Sequence, residues 1–200
     1  MTLCSVTIPT PLIFNYFIML ITANIDDVIQ PFKKGAIIAY PTEAIYGLGC
    51  DPDNKKAVKR LLAIKQRPLH KGLILVASDI SQVKKYLKPL SEAQLALTKP
   101  SGTTYLFPAK KSTPTWLKGE FDSLAVRFSA FPLLQELCTK LDSAIVSTSA
   151  NISGQQPART SEEVLAQLGG EINVILRGKV GDSQKPSVIR DSISDQIIRD

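Results

Sequence analysis

Four polar clusters in this chain sit where an apolar run gives out, and each has side chains suited to holding an anion or a small polar head group. In VSTSANISG (146–154), Ser147, Ser149 and Asn151 share one side if the chain stays extended, which sets two hydroxyls and an amide in a row. Such a lining suits a phosphate, a ribose or an amino-acid head group; a hydrogen-bonded turn would use the same residues. In AVKRLLAIKQRP (57–68), Ala57, Val58, Leu61 and Leu62 mark one helical face. The next step along that face is Lys65, with Arg67 just beyond the helix end set by Pro68. Two cations beside a core fit an anion-filled cleft, where a guanidinium grips phosphate or carboxylate with two donors. They also fit ordinary charge placement at a helix C-terminus. Arg127 lies inside the apolar strand SLAVRF, where a charge is costly unless it faces a cleft or has a carboxylate partner. In AYPTEAIYGLGCDP (39–52), Pro41 stops a strand, Thr42 and Glu43 project polar groups, and Gly47 and Gly49 allow tight turns or close approach to a ligand. Neither GxxxxGK nor GxGxxG is present, so no standard phosphate loop is written here.

The elements that must position these clusters alternate short helices with short apolar strands. A helix is expected in IDDVIQPFKKG, interrupted at Pro31, and another from Asn54 to about Lys65; further helical pieces fall near 79–86, 91–97 and 131–141. Ser161 reads as the N-cap of SEEVLAQLG, with only half of a capping box because Val164 stands where Glu would complete it. Strands are expected at 36–40, 72–77, 103–109, 123–128, 143–148, 172–176 and 187–191. Continuous apolar strands between helices imply a sheet covered on both faces, and successive strands without a long intervening helix imply a mixed one. Ligands bind such sheets where strands end, which is where the four clusters lie.

Composition narrows the function classes. The 44% apolar fraction is enough for one buried α/β core in 200 residues. A net charge of +6 favours an anionic partner such as nucleotide or RNA. Three scattered cysteines and a single His70 provide no metal-ligand spacing and no disulfide framework, which points to a reducing, cytoplasmic setting. Residues 1–22 stand apart as an irregular N-terminal extension. Their apolar run PLIFNYFIMLI is too short to span a bilayer, and no Lys or Arg precedes it as in a secretory signal.

Taken together, AYPTEAIYGLGCDP, IKQRP, DSLAVRF, VSTSANISG and KPSVIRD resemble the YrdC/TsaC family of threonylcarbamoyl-AMP synthases, over about residues 25 to 200. The single-domain length resembles the short bacterial form. The resemblance implies an α/β fold with a twisted mixed parallel/antiparallel sheet flanked by helices, a concave basic cleft, and a catalytic domain spanning 23–200. It implies an enzyme, a nucleotidyltransferase, that makes threonylcarbamoyl-adenylate and pyrophosphate from L-threonine, bicarbonate or CO2, and ATP, with Mg2+ accompanying the nucleotide. Other proteins then pass the threonylcarbamoyl group to an adenosine of tRNA, giving the t6A modification.

By the same resemblance, Lys65 and Arg67 act on the triphosphate as the catalytic pair, and Thr104, Ser149, Asn151 and Arg199 complete the ATP site. Thr42, Arg127, Ser147 and Ser187 are the threonine-side groups, and the chain itself supplies no metal ligand. No side chain looks like a nucleophile, so catalysis by positioning and charge neutralisation is expected. The family usually carries WPGPxT where this chain reads KPSGTTYLF (99–107). The alternative is a non-catalytic RNA-binding or ribosome-associated relative. Against it stand an aromatic content of 6% and the absence of a basic run interleaved with aromatics.

Overall fold

The computed structural model describes residues 19–183 and 187–199. Sixteen named elements follow one another: β1 (Leu20–Thr22), α1 (Asp26–Lys33), β2 (Ile38–Pro41), β3 (Tyr46–Cys50), α2 (Lys55–Ile64), β4 (Ile74–Ala77), α3 (Glu92–Ala96), β5 (Thr104–Pro108), α4 (Thr115–Lys118), β6 (Ser123–Phe128), α5 (Pro132–Leu141), β7 (Ile145–Ser149), α6 (Ser161–Leu168), β8 (Val174–Leu176), β9 (Ile189–Asp191) and β10 (Ile197–Arg199). The strands form one sheet in the order β1-β8-β2-β3-β7-β4-β6-β5-β9-β10. Pairings β1·β8, β2·β8, β4·β6 and β5·β9 are parallel and the other five antiparallel, the mixed sheet expected from the sequence.

Helices cover both faces. Val28 and Phe32 of α1 and Leu134, Leu137 and Cys138 of α5 pack with Ile38, Tyr40, Val76 and Ile145 on one side. On the other, Ala57, Val58, Leu61 and Leu62 of α2 and Val164 and Leu168 of α6 pack with Ile37, Ala39, Leu75 and Val146. Successive strand residues thus feed opposite cores, as the two-residue period of a strand requires.

Four expectations are corrected. The boundary at residue 22 cuts into the sheet: Leu20, Ile21 and Thr22 pair in parallel register with Val174, Ile175 and Leu176. The rest of that extension, residues 1–18, lies outside the described residues, as do 184–186, which include the first two residues of KPSVIRD, and residue 200. YGLGC is a fully buried strand and not a connection. Its glycines weaken the strand signal, yet the packing needs them. A Cβ on Gly47 would lie 2.7 Å from the Tyr40 ring, and one on Gly49 2.2 Å from the Val146 carbonyl oxygen. Both serve close approach within the sheet, and Gly47 also lines the cleft described below.

The third correction is at α6, whose cap is Thr160. Its hydroxyl accepts from Glu163 N at 3.2 Å, one residue earlier than expected, so the Thr-x-x-Glu spacing is complete in that register. Finally, IIR (197–199) forms an edge strand antiparallel to β9 that the sequence pattern did not mark.

Candidate functional site

A cleft of about 830 Å3 opens over the face that α5 covers, beyond the end of that helix, where Leu134 marks its border. Its floor comes from strand residues in register. Ser147, Ile74, Ala125 and Leu106 form one row across β7, β4, β6 and β5, and Val76, Arg127, Thr104 and Ile189 form the next across β4, β6, β5 and β9. In β6 the alternation is regular: Leu124, Val126 and Phe128 are buried while Ser123, Ala125 and Arg127 face the cleft. This resolves the sequence puzzle of Arg127, which has both a cleft and a carboxylate partner. Its Nη2 lies 3.0 Å from Glu43 Oε1, with the two side chains 17% and 18% exposed. Ser129 Oγ donates to the same Glu43 oxygen at 2.6 Å.

Of the ten residues singled out from sequence, seven line this cleft: Thr42, Arg67, Arg127, Ser147, Ser149, Ser187 and Arg199. The Thr42 hydroxyl donates to Ile45 O at 2.8 Å and closes the turn between β2 and β3. Ser147 is held by the buried Tyr40 hydroxyl, which donates to its Oγ at 2.9 Å. A side chain at position 49 would come within 2.9 Å of that tyrosine oxygen. Burial pushes the Tyr40 hydroxyl far up, so it remains a donor.

Lys65, Asn151 and Thr104 stand behind the lining. Lys65, at the C-cap of α2, reaches inward as its place on the apolar face implied. Its Nζ donates to Ser149 O (2.9 Å), Asn151 O (2.6 Å) and Asn151 Oδ1 (2.8 Å). All three ammonium hydrogens are therefore used. Burial, followed by the nearby Arg67 charge, lowers this amine to about 8. Asn151 does not continue the row of Ser147 and Ser149, because β7 ends at Ser149 and the chain turns. Its Oδ1 accepts from Lys65 and from Ser149 Oγ (2.6 Å), and its amide donates to Ile152 O and Gln155 O. It braces the turn with every polar atom engaged. Thr104 is fully buried and shares a 2.8 Å hydrogen bond with the Ser187 hydroxyl.

The KQR tripeptide separates its two cations by backbone conformation. Gln66 takes a left-handed φ of 47°, which leaves Lys65 pointing at β7 and swings Arg67 toward the cleft mouth. There Arg67 donates from Nη2 to Gly72 O at 2.9 Å and to Lys71 O at 3.3 Å. Partial burial and the Arg199 charge both lower its hold on the proton. Arg199 itself donates to Ser187 O at 3.3 Å, so the β9–β10 hairpin wraps onto the same site.

Sequence reasoning did not select Glu43, Lys71, Lys118 or Arg159, which also line the cleft. Glu43 was visible as the carboxylate of the PTEA turn, but its partner is 84 positions away in sequence. Lys71 and Lys118 end one-turn helical pieces and Arg159 sits in a loop, all too short for periodicity to mark a direction. Among the described residues six cations and one carboxylate face the cavity. That arrangement can neutralise a polyanion at one end and pair with a smaller, mixed-charge group at the other. Among the described residues no group of three His, Cys, Asp or Glu could cage a metal, and no helix is long and apolar enough to cross a membrane.

Comparison with known proteins accords with this geometry. Residues 30–200 match the Sua5/YciO/YrdC family profile, described as "Telomere recombination". A threonylcarbamoyl-AMP synthase from Vibrio cholerae is 44% identical over 186 residues, which cover 90% of this chain and 99% of that protein. One from Yersinia enterocolitica is 48% identical over 182 residues, 88% of this chain and 95% of the relative. Among solved structures, that of P. abyssi Sua5 complexed with L-threonine superposes with a TM-score of 0.78 at 27% identity; the match covers 86% of this chain and 53% of that longer protein.

Proposed function

The chain belongs to the Sua5/YciO/YrdC family, and on that premise we propose that it forms threonylcarbamoyl-AMP and pyrophosphate from L-threonine, bicarbonate or CO2, and the Mg2+ complex of ATP. The observation that carries this reading is one connected cleft lined by the Arg127–Glu43 pair and by a group of further cations, Arg67, Lys71 and Arg199. A carboxylate and a triphosphate need just such separated cations.

Arg127 would take the threonine carboxylate, with Thr42, Ser147 and Ser187 offering hydroxyls to the rest of the amino acid. Arg67, Lys71 and Arg199 would take the phosphates, with Ser149 at the boundary between the two parts. Lys65 would act through Ser149 and Asn151, fixing the turn that both substrates touch, and Thr104 through Ser187. Mg2+ supplies charge neutralisation on the phosphates it accompanies and, with Glu43 engaged by Arg127, would be held by phosphate and water and not by a protein cage.

In this scheme no side chain serves as a nucleophile; the reactants attack one another. The threonine ammonium gives up a proton to water, and the amine adds to CO2 with loss of a second proton to water to give a carbamate, whose oxygen attacks the α-phosphate as pyrophosphate departs. The protein's share is alignment of bound reactants and a fixed positive field for the developing charge. The product's threonylcarbamoyl group would pass, through partner proteins in the cytoplasm, to an adenosine of tRNA.

Pyrophosphate release by the purified chain, with MgATP and with threonine and bicarbonate each supplied or withheld, tests this. Release that needs both is expected. No release with intact ATP binding would overturn the synthase reading in favour of a non-catalytic relative.

A further inference from the structure

The Thr42–Glu43 turn carries a charge that none of the motif residues accounts for. Glu43 Oε1 is engaged twice, by Arg127 and by Ser129, but among the described residues Glu43 Oε2 has no partner. The same is true of Arg127 Nε, and both atoms are shielded from bulk solvent. An unmet buried donor or acceptor costs about 1–3 kcal/mol, so this ion pair is an incomplete one. It wants one further acceptor on the arginine side and one further donor on the glutamate side.

The backbone beneath it is clamped. Gly181 N donates to Thr42 O at 2.9 Å, and Ser183 N donates to Glu43 O at 3.0 Å. Gly181 sits so close that a Cβ there would lie 2.7 Å from Glu43 O. Adjustment is left to the side chain, whose last torsion is soft, and whose surface already faces the cleft.

We propose that Glu43 is the receptor for the amino group of the substrate: its carboxylate takes the ammonium while Arg127 takes the carboxylate, so the pair reads an α-amino acid as a zwitterion. An α-amino acid carries the missing donor and the missing acceptor on one carbon, with charges opposite to those of the pair. Among the described residues no other carboxylate lines the cleft, so of these Glu43 alone can set a full negative charge against an ammonium. The six cations would otherwise make the cavity hostile to that group. This inference rests on the amino-acid substrate proposed above and adds the residue that distinguishes an amino acid from a plain carboxylate.

The test compares threonine with 2,3-dihydroxybutanoate, in which a hydroxyl replaces the amine, for binding to the full chain by calorimetry. The unaltered chain should prefer threonine by about tenfold or more, the worth of one hydrogen bond to a charged group. Glu43→Gln keeps the shape and the Ser129 contact but removes the charge. It should collapse that preference, while ATP binding shows that the fold is retained. If Glu43→Gln does not fold, Glu43→Asp gives the same readout, since withdrawing the carboxylate by one methylene should cut the preference several-fold. A preference left unchanged, or two ligands weakened alike, would mean the pair is only a structural tie and overturns the inference. Failure of the unaltered chain to bind threonine at all would overturn both this inference and the amino-acid reading beneath it.

Discussion

The two ends of the cleft treat positive charge in opposite ways. Arg127 comes from near the end of a half-buried strand, is mostly sheltered, and is matched by Glu43. Arg67 follows a helix end, leans only on the carbonyls of Lys71 and Gly72, and shares its surroundings with the Arg199 charge. At the first end the chain carries its own counter-ion, which suits a ligand of balanced charge. At the second, like charges gather without a carboxylate among the described lining residues, which suits a ligand that brings several negative charges of its own. Ser149 lines the same cleft, and its turn with Asn151 is tied by Lys65. A site that must join a small amino acid to a triphosphate is built in this way from two unlike halves and a fixed hinge point.

The comparison breaks most sharply at Arg127. Arg127→Met leaves Glu43 without its cation, so stability should fall by about 1–3 kcal/mol in denaturant unfolding. Threonine affinity should drop by about a hundredfold, while ATP affinity stays within a few-fold. Arg67→Ala should do the reverse: nucleotide binding falls by about tenfold or more, threonine binding is little changed, and stability is nearly untouched because the side chain is exposed. Nucleotide binding to the unaltered chain should weaken as salt rises, since the charges involved face water.

Lys65 sharpens the boundary between the halves. Its ammonium holds the turn, so activity should fall as pH rises through about 8, where the amine loses its proton. The sign for stability is opposite. Lys65 in the fold gives up its proton at a lower pH than in the unfolded chain, near 10.5. Between these values the unfolded chain holds more protons, and raising the pH favours the folded state at this residue. Comparing pH–activity and pH–stability profiles of the unaltered chain with those of Lys65→Met isolates both effects. Gly181→Ala gives a smaller one. The added methyl must push the Thr42–Glu43 turn, which should raise the KM for threonine several-fold with the KM for ATP unchanged.

Much of this site was legible before any coordinates. The KQR and STSAN stretches and Arg127 do converge on one place, because charge and hydroxyls at strand ends conflict with burial unless a cleft receives them. What was hidden was partnership. Lys65 and Asn151 carry the right chemistry, yet their polar atoms turn toward each other, and only the end of β7 at Ser149 decides that. Glu43 lay in plain view but gains meaning through Arg127 and Ser129, both brought to it by the sheet. The fold followed the same division. Apolar runs located most strands, whereas Gly47 and Gly49 masked β3 because their reason is the Tyr40 ring and the β7 backbone. Three residues of β1 were read with the extension before them because a short edge strand has no pattern of its own.

The most direct measurement is a crystal structure of the chain with threonine and a non-hydrolysable ATP analogue bound together. The account predicts the threonine carboxylate on Arg127 and the triphosphate against Arg67, Lys71 and Arg199, with the α-phosphate near Ser149. A triphosphate seated on Arg127, or threonine seated among Arg67 and Arg199, would contradict the division of the cleft into two unlike halves.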